Sequence, residues 1–108
     1  MSEARIPVPH PGEILLEDYL RPMGISQNQL SQSMRVPANR IHAIIHGRRA
    51  ITAETALRLG QALGTSPELW LGLQMEYDLR KAKQELAATI EREVLLLSAA
   101  QATIREPP

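Results

Sequence analysis

The chain contains no cysteine, so neither a disulfide framework nor a thiolate metal or redox site can form, which fits a reducing compartment. No apolar run approaches the ~20 residues needed to span a bilayer, and the first residues lack a signal-peptide core. No membrane partner is expected, and the cytoplasm is the expected location. Aromatic residues are confined to Tyr19, Trp70 and Tyr77, and no β-type alternation stands out, which leaves a helical reading. Gly24, Gly47, Gly60, Gly64 and Gly72 are isolated from one another, so there is no glycine-rich phosphate loop. Ser26, Ser31 and Ser33 have no His–Asp constellation at hand, and capping and solvent exposure account for them. Neither an enzyme nor a cofactor is expected.

Net charge is also missing: 12 basic and 12 acidic residues cancel. The average hides a segregation. Residues 35–58 carry Arg35, Arg40, Arg48, Arg49 and Arg58 against Glu54 alone, whereas residues 65–108 hold five basic and seven acidic side chains. Such asymmetry suggests two surfaces with different partners, although ordinary solvated surface would look similar. At 108 residues the chain is one domain, or one small domain with an appended helix. Its first half is near the smallest size that one core can hold, so a homodimer would help stability.

Helix punctuation is frequent. His10-Pro11-Gly12-Glu13 leads into a first helix with Pro11 near its first position, ended by Pro22 and Gly24. Ser26-Gln27-Asn28-Gln29 is a capping box that opens a second helix to about Met34. After the Val36-Pro37 turn, a third helix runs from about Ala38 to His46, with Gly47 as its C-cap. Thr52 caps a fourth, Ala53 to Leu63, stopped by Gly64. Ser66 and Pro67 start a fifth, and the helical pattern then continues to about Ala102. The expected organisation is an N-terminal extension (1–10), a five-helix domain (11–80), a C-terminal helical arm (81–104) and a disordered tail (105–108). The fold class is all-α.

The third helix raises a choice, because His42 and His46 have metal-ligand spacing. At about 100° per residue, Ile41, Ile44 and Ile45 share a sector that must face the core. Opposite lie Asn39, Ala43 and His46, flanked by His42 and Arg40. Zinc catalysis from such a His pair needs a general base after the first His and a third ligand. That next residue is Ala43, and the third histidine, His10, precedes the first helix. No metal site is expected. A helix entering the major groove suits the face better: small residues allow close approach, Asn pairs with adenine, and Arg pairs with guanine. A plain amphipathic surface helix has the same pattern, so the neighbours must decide.

They form a helix-turn-helix: a capped short helix, a tight turn at Arg35-Val36-Pro37, and a second short helix. Ser26 and Gln27 stand at the N-terminus of the first of these, where free N–H groups and a side-chain amide can grip a phosphate. Arg48 and Arg49 follow the second, placed to meet the backbone again. Positioning contacts thus flank a base-reading face on both sides.

These residues resemble a known family, the HigA-type antitoxins of the Xre/lambda-repressor-like helix-turn-helix group. The match is carried by His10-Pro11-Gly12-Glu13-Ile14-Leu15, Ser26-Gln27-Asn28-Gln29-Leu30-Ser31, Val36-Pro37-Ala38-Asn39-Arg40-Ile41, Gly47-Arg48-Arg49-Ala50-Ile51-Thr52, Thr55-Ala56-Leu57-Arg58-Leu59 and Gly64-Thr65-Ser66-Pro67-Glu68-Leu69-Trp70-Leu71. It covers roughly residues 8–80 and leaves the stretch from Lys81 unmatched. The resemblance implies a lambda-repressor-like domain that dimerises, binds a palindromic operator in its own promoter and neutralises a cognate toxin. Such toxins resemble RelE-type ribonucleases. It implies that Gln27 grips a phosphate and that Pro37, Ala38, Asn39, Arg40, His42 and Ala43 line the DNA-reading helix. Ala38 and Ala43 stand where longer polar side chains often read bases in relatives, so discrimination would lean on Asn39, Arg40 and His42. A solitary Xre-type regulator, or a toxin-neutraliser that has lost DNA binding, would carry much the same motifs.

Four further expectations concern the rest of the chain. Trp70 is a core or dimer-interface anchor. Arg58 pairs with Glu54 at i,i+4 rather than with DNA. Glu85, Glu91 and Glu93 face either solvent or a basic toxin. Leu86, Ile90, Val94 and Leu97, spaced 4, 4 and 3, form a stripe one helix cannot bury alone, to be covered by its own domain or by a second subunit.

Overall fold

His10 sets the start of the first helix: its Nδ1 accepts the Gly12 N–H at 2.9 Å, and Pro11 occupies the first turn. The computed structural model describes residues 8–98; the N-terminal residues 1–7, the end of the expected arm and the expected tail lie outside these. Among the described residues the chain forms five helices and no strand.

Helix α1 is Pro11–Ile14, Leu15–Leu20 and Arg21–Met23 in sequence, the middle stretch wound as a π-helix. Of the two residues expected to end this helix, Gly24, at φ 67°, closes it, whereas Pro22 does not, because the helix runs through it to Met23. The π turn explains both facts. The Arg21 N–H reaches the Leu16 carbonyl, and a widened turn just ahead of Pro22 makes room for a ring that would otherwise meet the Asp18 carbonyl. Leu15 and Leu20 would also diverge by roughly 140° on a regular helix. Wound as a π-helix, the stretch buries both.

Helix α2 (Gln27–Met34) begins with the expected capping box. Ser26 Oγ accepts the Gln29 N–H at 3.0 Å, and the Ser26 N–H donates to Gln29 Oε1 at 2.8 Å. It ends on Arg35 in the left-handed region, at φ 58°. Helix α3 (Ala38–Ile45) follows Pro37 and stops one residue earlier than expected. His46 is its C-cap and Gly47, at φ 73°, comes next. The Gly47 N–H bonds the Ile44 carbonyl and the Arg48 N–H bonds the Ala43 carbonyl, a Schellman closure whose left-handed position glycine enters without strain.

Helix α4 (Ala53–Leu63) is capped by Thr52 and closed by Gly64. Helix α5 (Pro67–Glu93), capped by Ser66, runs without interruption past residue 80 and includes most of the expected arm. It does not reach Ala102. Val94 is extended, and residues 94–98 are not helical. Leu95 and Leu96 are almost fully exposed, so a further turn would bury nothing, and burial is what sustains most protein helices.

The core gathers Leu15, Leu20, Leu30, Met34, Ile41, Ile44, Ile51, Ala56, Leu59 and Trp70. Trp70 is wholly inside it, its indole N–H donating to Thr65 Oγ1 at 2.7 Å and its ring tilted against Tyr19. Of the expected alternatives for Trp70, the chain's own core is where it lies.

Candidate nucleic-acid interface

Helix α3 is held from behind by Ile41 and Ile44, both completely buried, with Ile45 half-buried beside them. Removing each such isoleucine from water contributes about 1.5–3 kcal/mol, which fixes the rotation of the helix. The opposite side then presents Ala38, Asn39, His42 and His46 to solvent, with Ala43 half-buried between them. Pro37 is exposed at the entry to the helix, and Ser26 and Gln27 stand at the start of α2.

The two histidines lie together, ring centroids 4.0 Å apart. Nδ1 of His46 is 2.9 Å from the His42 carbonyl oxygen; because that oxygen can only accept, the imidazole nitrogen donates. His10 stands elsewhere, packed edge-on to Tyr77 at 4.8 Å, and its Nδ1 is already the acceptor of the α1 cap. Burial pushes the His10 pKa below its ordinary value; Asp78 and Glu13 oppose the shift and Lys81 adds to it.

Arg40 lies on the flank of α3, where the helical angles put it, and is paired there with an acid the sequence reading did not assign to it. Its side chain is only 20% exposed, and it turns along the flank of α3 toward α4, where its guanidinium lies 3.8 Å from Glu54. Arg58 pairs with Glu54 as expected, at 3.1 Å, and also donates to the Met34 carbonyl at 2.8 Å, tying α4 to the end of α2. Arg48 and Arg49 remain exposed beyond α3, with no carboxylate paired to them among the described residues.

Three supports of this surface escaped the sequence reading. Gly12 packs so closely on α3 that a Cβ there would fall 1.8 Å from the Ile44 carbonyl oxygen. Gln74, buried on α5, accepts the Ile51 N–H at 2.8 Å and donates to Asp78 at 3.0 Å, holding the loop that carries Arg48 and Arg49. The available signal was a polar residue four positions after Trp70, on the face that must be buried. Gly60 is the third: a Cβ would meet the Thr65 carbonyl oxygen at 2.7 Å, so it allows the α4–α5 turn to close.

Far from this surface, α5 carries an exposed apolar stripe. Leu86, Ile90, Val94 and Leu97 are all exposed, so the chain's own domain does not cover them. The stripe begins earlier than expected, because Leu71, Met75 and Leu79 are also exposed and continue it toward the domain.

A helix-turn-helix family profile matches residues 16–70. The chain is 46% identical over 80 residues to virulence-associated protein I of Dichelobacter nodosus, covering 74% of each protein. An addiction module antidote protein of a HigA family from Coxiella burnetii superposes with a TM-score of 0.79 at 44% identity, over 85% of this chain and 100% of that one. The Pseudomonas aeruginosa antitoxin HigA, solved with the higBA promoter, gives 0.81 at 36% identity over 85% and 100%.

Proposed function

The chain belongs to the helix-turn-helix family, and from that premise we propose that it is the antitoxin of a type II toxin–antitoxin module. As a homodimer in the cytoplasm it binds a palindromic operator in its own promoter, represses that operon and neutralises a toxin resembling RelE-type ribonucleases. The observation that carries the DNA-binding half is the outward face of α3, with Asn39 and His42 exposed and small alanines beside them. Asn39 pairs bidentately with an adenine, His42 reaches a neighbouring base edge, and Ala38 meets a thymine methyl. Ser26 and Gln27 at the α2 N-terminus grip phosphate on one side, and Arg48 and Arg49 grip it on the other. These contacts set register; the bases supply specificity.

Dimerisation falls to the α5 stripe of Leu86, Ile90 and Val94, extended by Leu71, Met75 and Leu79, which a second copy would bury. Trp70 shapes that helix from inside the core. Two reading helices in such a dimer sit about 34 Å apart, one turn of DNA. Kinship with HigA antitoxins supports the toxin-neutralising half, and the exposed Glu91 and Glu93 of α5 suit a basic partner.

A gel shift with the duplex upstream of the chain's own reading frame, titrated with salt, tests the proposal. Asn39→Ala should relax preference at one base pair at a cost of ~1–3 kcal/mol, while Arg48→Ala should weaken all sequences alike. Absence of binding at moderate salt, with a toxin still co-purifying, would leave a pure toxin-neutraliser. Binding without any toxin partner would leave a solitary Xre-type regulator.

A further inference from the structure

Beside the reading face sits an ion-pair relay that ties together α2, α3 and α4. Glu54, in the first turn of α4, uses one carboxylate oxygen for Arg58 at 3.1 Å and presents the other to Arg40 of α3 at 3.8 Å. Arg58 in turn donates to the Met34 carbonyl at the end of α2. Glu54 is the single acid among five arginines in residues 35–58, and it stands between two of them. Arg40 is mostly covered, and its Nε is buried with no hydrogen-bond partner. A flexible arginine has been placed in one pose at the edge of the reading face, with its charge partly cancelled.

Resting on the DNA-binding reading, we infer that Glu54 is a specificity-determining positioning residue that acts through Arg40. Two physical effects point the same way. A guanidinium held in one pose loses less rotamer freedom when it engages a base edge, so the cognate contact gains from the bracing. Cancelling the charge of Arg40 also weakens its pull on phosphates, the sequence-independent part of the attraction. Bracing therefore raises operator affinity relative to random-sequence affinity. Losing the carboxylate frees Arg40 to seek phosphate anywhere.

The test is Glu54→Gln, with affinities measured for the duplex upstream of the gene and for a shuffled duplex of the same composition. The operator-to-shuffled ratio should fall about threefold or more, the scale of a partly exposed ion pair. The salt slope on shuffled DNA should steepen by about one released counterion. Both affinities come from one sample, so partial unfolding of the variant cancels in the ratio. In an Arg40→Ala background the same substitution should leave the ratio unchanged. An unchanged ratio in Glu54→Gln alone, or an equal fall in the Arg40→Ala background, overturns the inference while leaving DNA binding intact. If the unsubstituted protein binds both duplexes equally, the DNA-reading proposal fails and this inference with it.

Discussion

Replacing Gln74 with leucine isolates one hydrogen bond across the molecule. Gln74 is 6% exposed, and its Oε1 is the acceptor of the Ile51 N–H at 2.8 Å. Leucine has nearly the same volume, so no large cavity opens and overpacking is small. What remains is an amide proton without an acceptor, beside Ile51, which is itself buried. Leaving such a group unsatisfied costs about 1–3 kcal/mol. The other half of the side chain matters less, since Asp78 is exposed and water can replace the lost Nε2 donor. For a domain of this size each kcal/mol lowers Tm by roughly 4–8 °C, so a drop of about 4–24 °C is expected from the two ranges together. Urea unfolding gives the free energy, and hydrogen exchange gives the location, because protection of the Ile51 amide should fall well before that of the Ile44 or Leu59 amides. Full stability with the Ile51 amide still protected would refute the assignment of this bond as the anchor of the loop bearing Arg48 and Arg49.

Gly12→Ala would place a methyl group 1.8 Å from a backbone oxygen of α3; because backbone cannot swing aside, the helical gain of about 1 kcal/mol is outweighed, and a lower urea midpoint with weaker DNA binding should result. His10 gives a pH dependence. Its folded-state pKa lies below the ordinary histidine value because burial disfavours the imidazolium. Its contribution to stability is therefore complete above about pH 6.5 and is lost as pH falls through the lower folded value. His10→Asn retains a side-chain acceptor for Gly12 but does not titrate; its unfolding free energy should decline less between pH 7 and pH 5, and parallel curves would show that other groups cause the decline. Ile90→Glu places a charge on the exposed α5 stripe, so light scattering should report a monomer with an undisturbed helical circular-dichroism spectrum.

The capped helix starts were legible because each is a local event. Ser26 with Gln29, Thr52 with Thr55, and Ser66 with Leu69 bond across three residues, a span over which the side chain alone chooses the backbone. The left-handed closures at Gly24, Gly47 and Gly64 follow from the one residue that enters that region without strain. Periodicity placed Ile41 and Ile44 inward, and with them the exposed face of α3. All of that is written in neighbours along the chain.

Other features depend on elements far apart in sequence. The π turn in α1 exists because Leu15 and Leu20 must reach one core while Pro22 lacks its N–H. Arg40, which helical angle puts on the flank of α3, turns to Glu54, fourteen positions away, because α4, packed on α2, brings that carboxylate within reach. Gly12 against Ile44 joins two helices and Gln74 against Ile51 joins a helix to a loop, across gaps that no local pattern spans. The arm stops at Glu93, where nothing among the described residues lies against it to bury another turn. Local hydrogen-bonding options choose where helices begin and end, whereas burial and charge pairing between helices choose which side chains face outward and how firmly they are held.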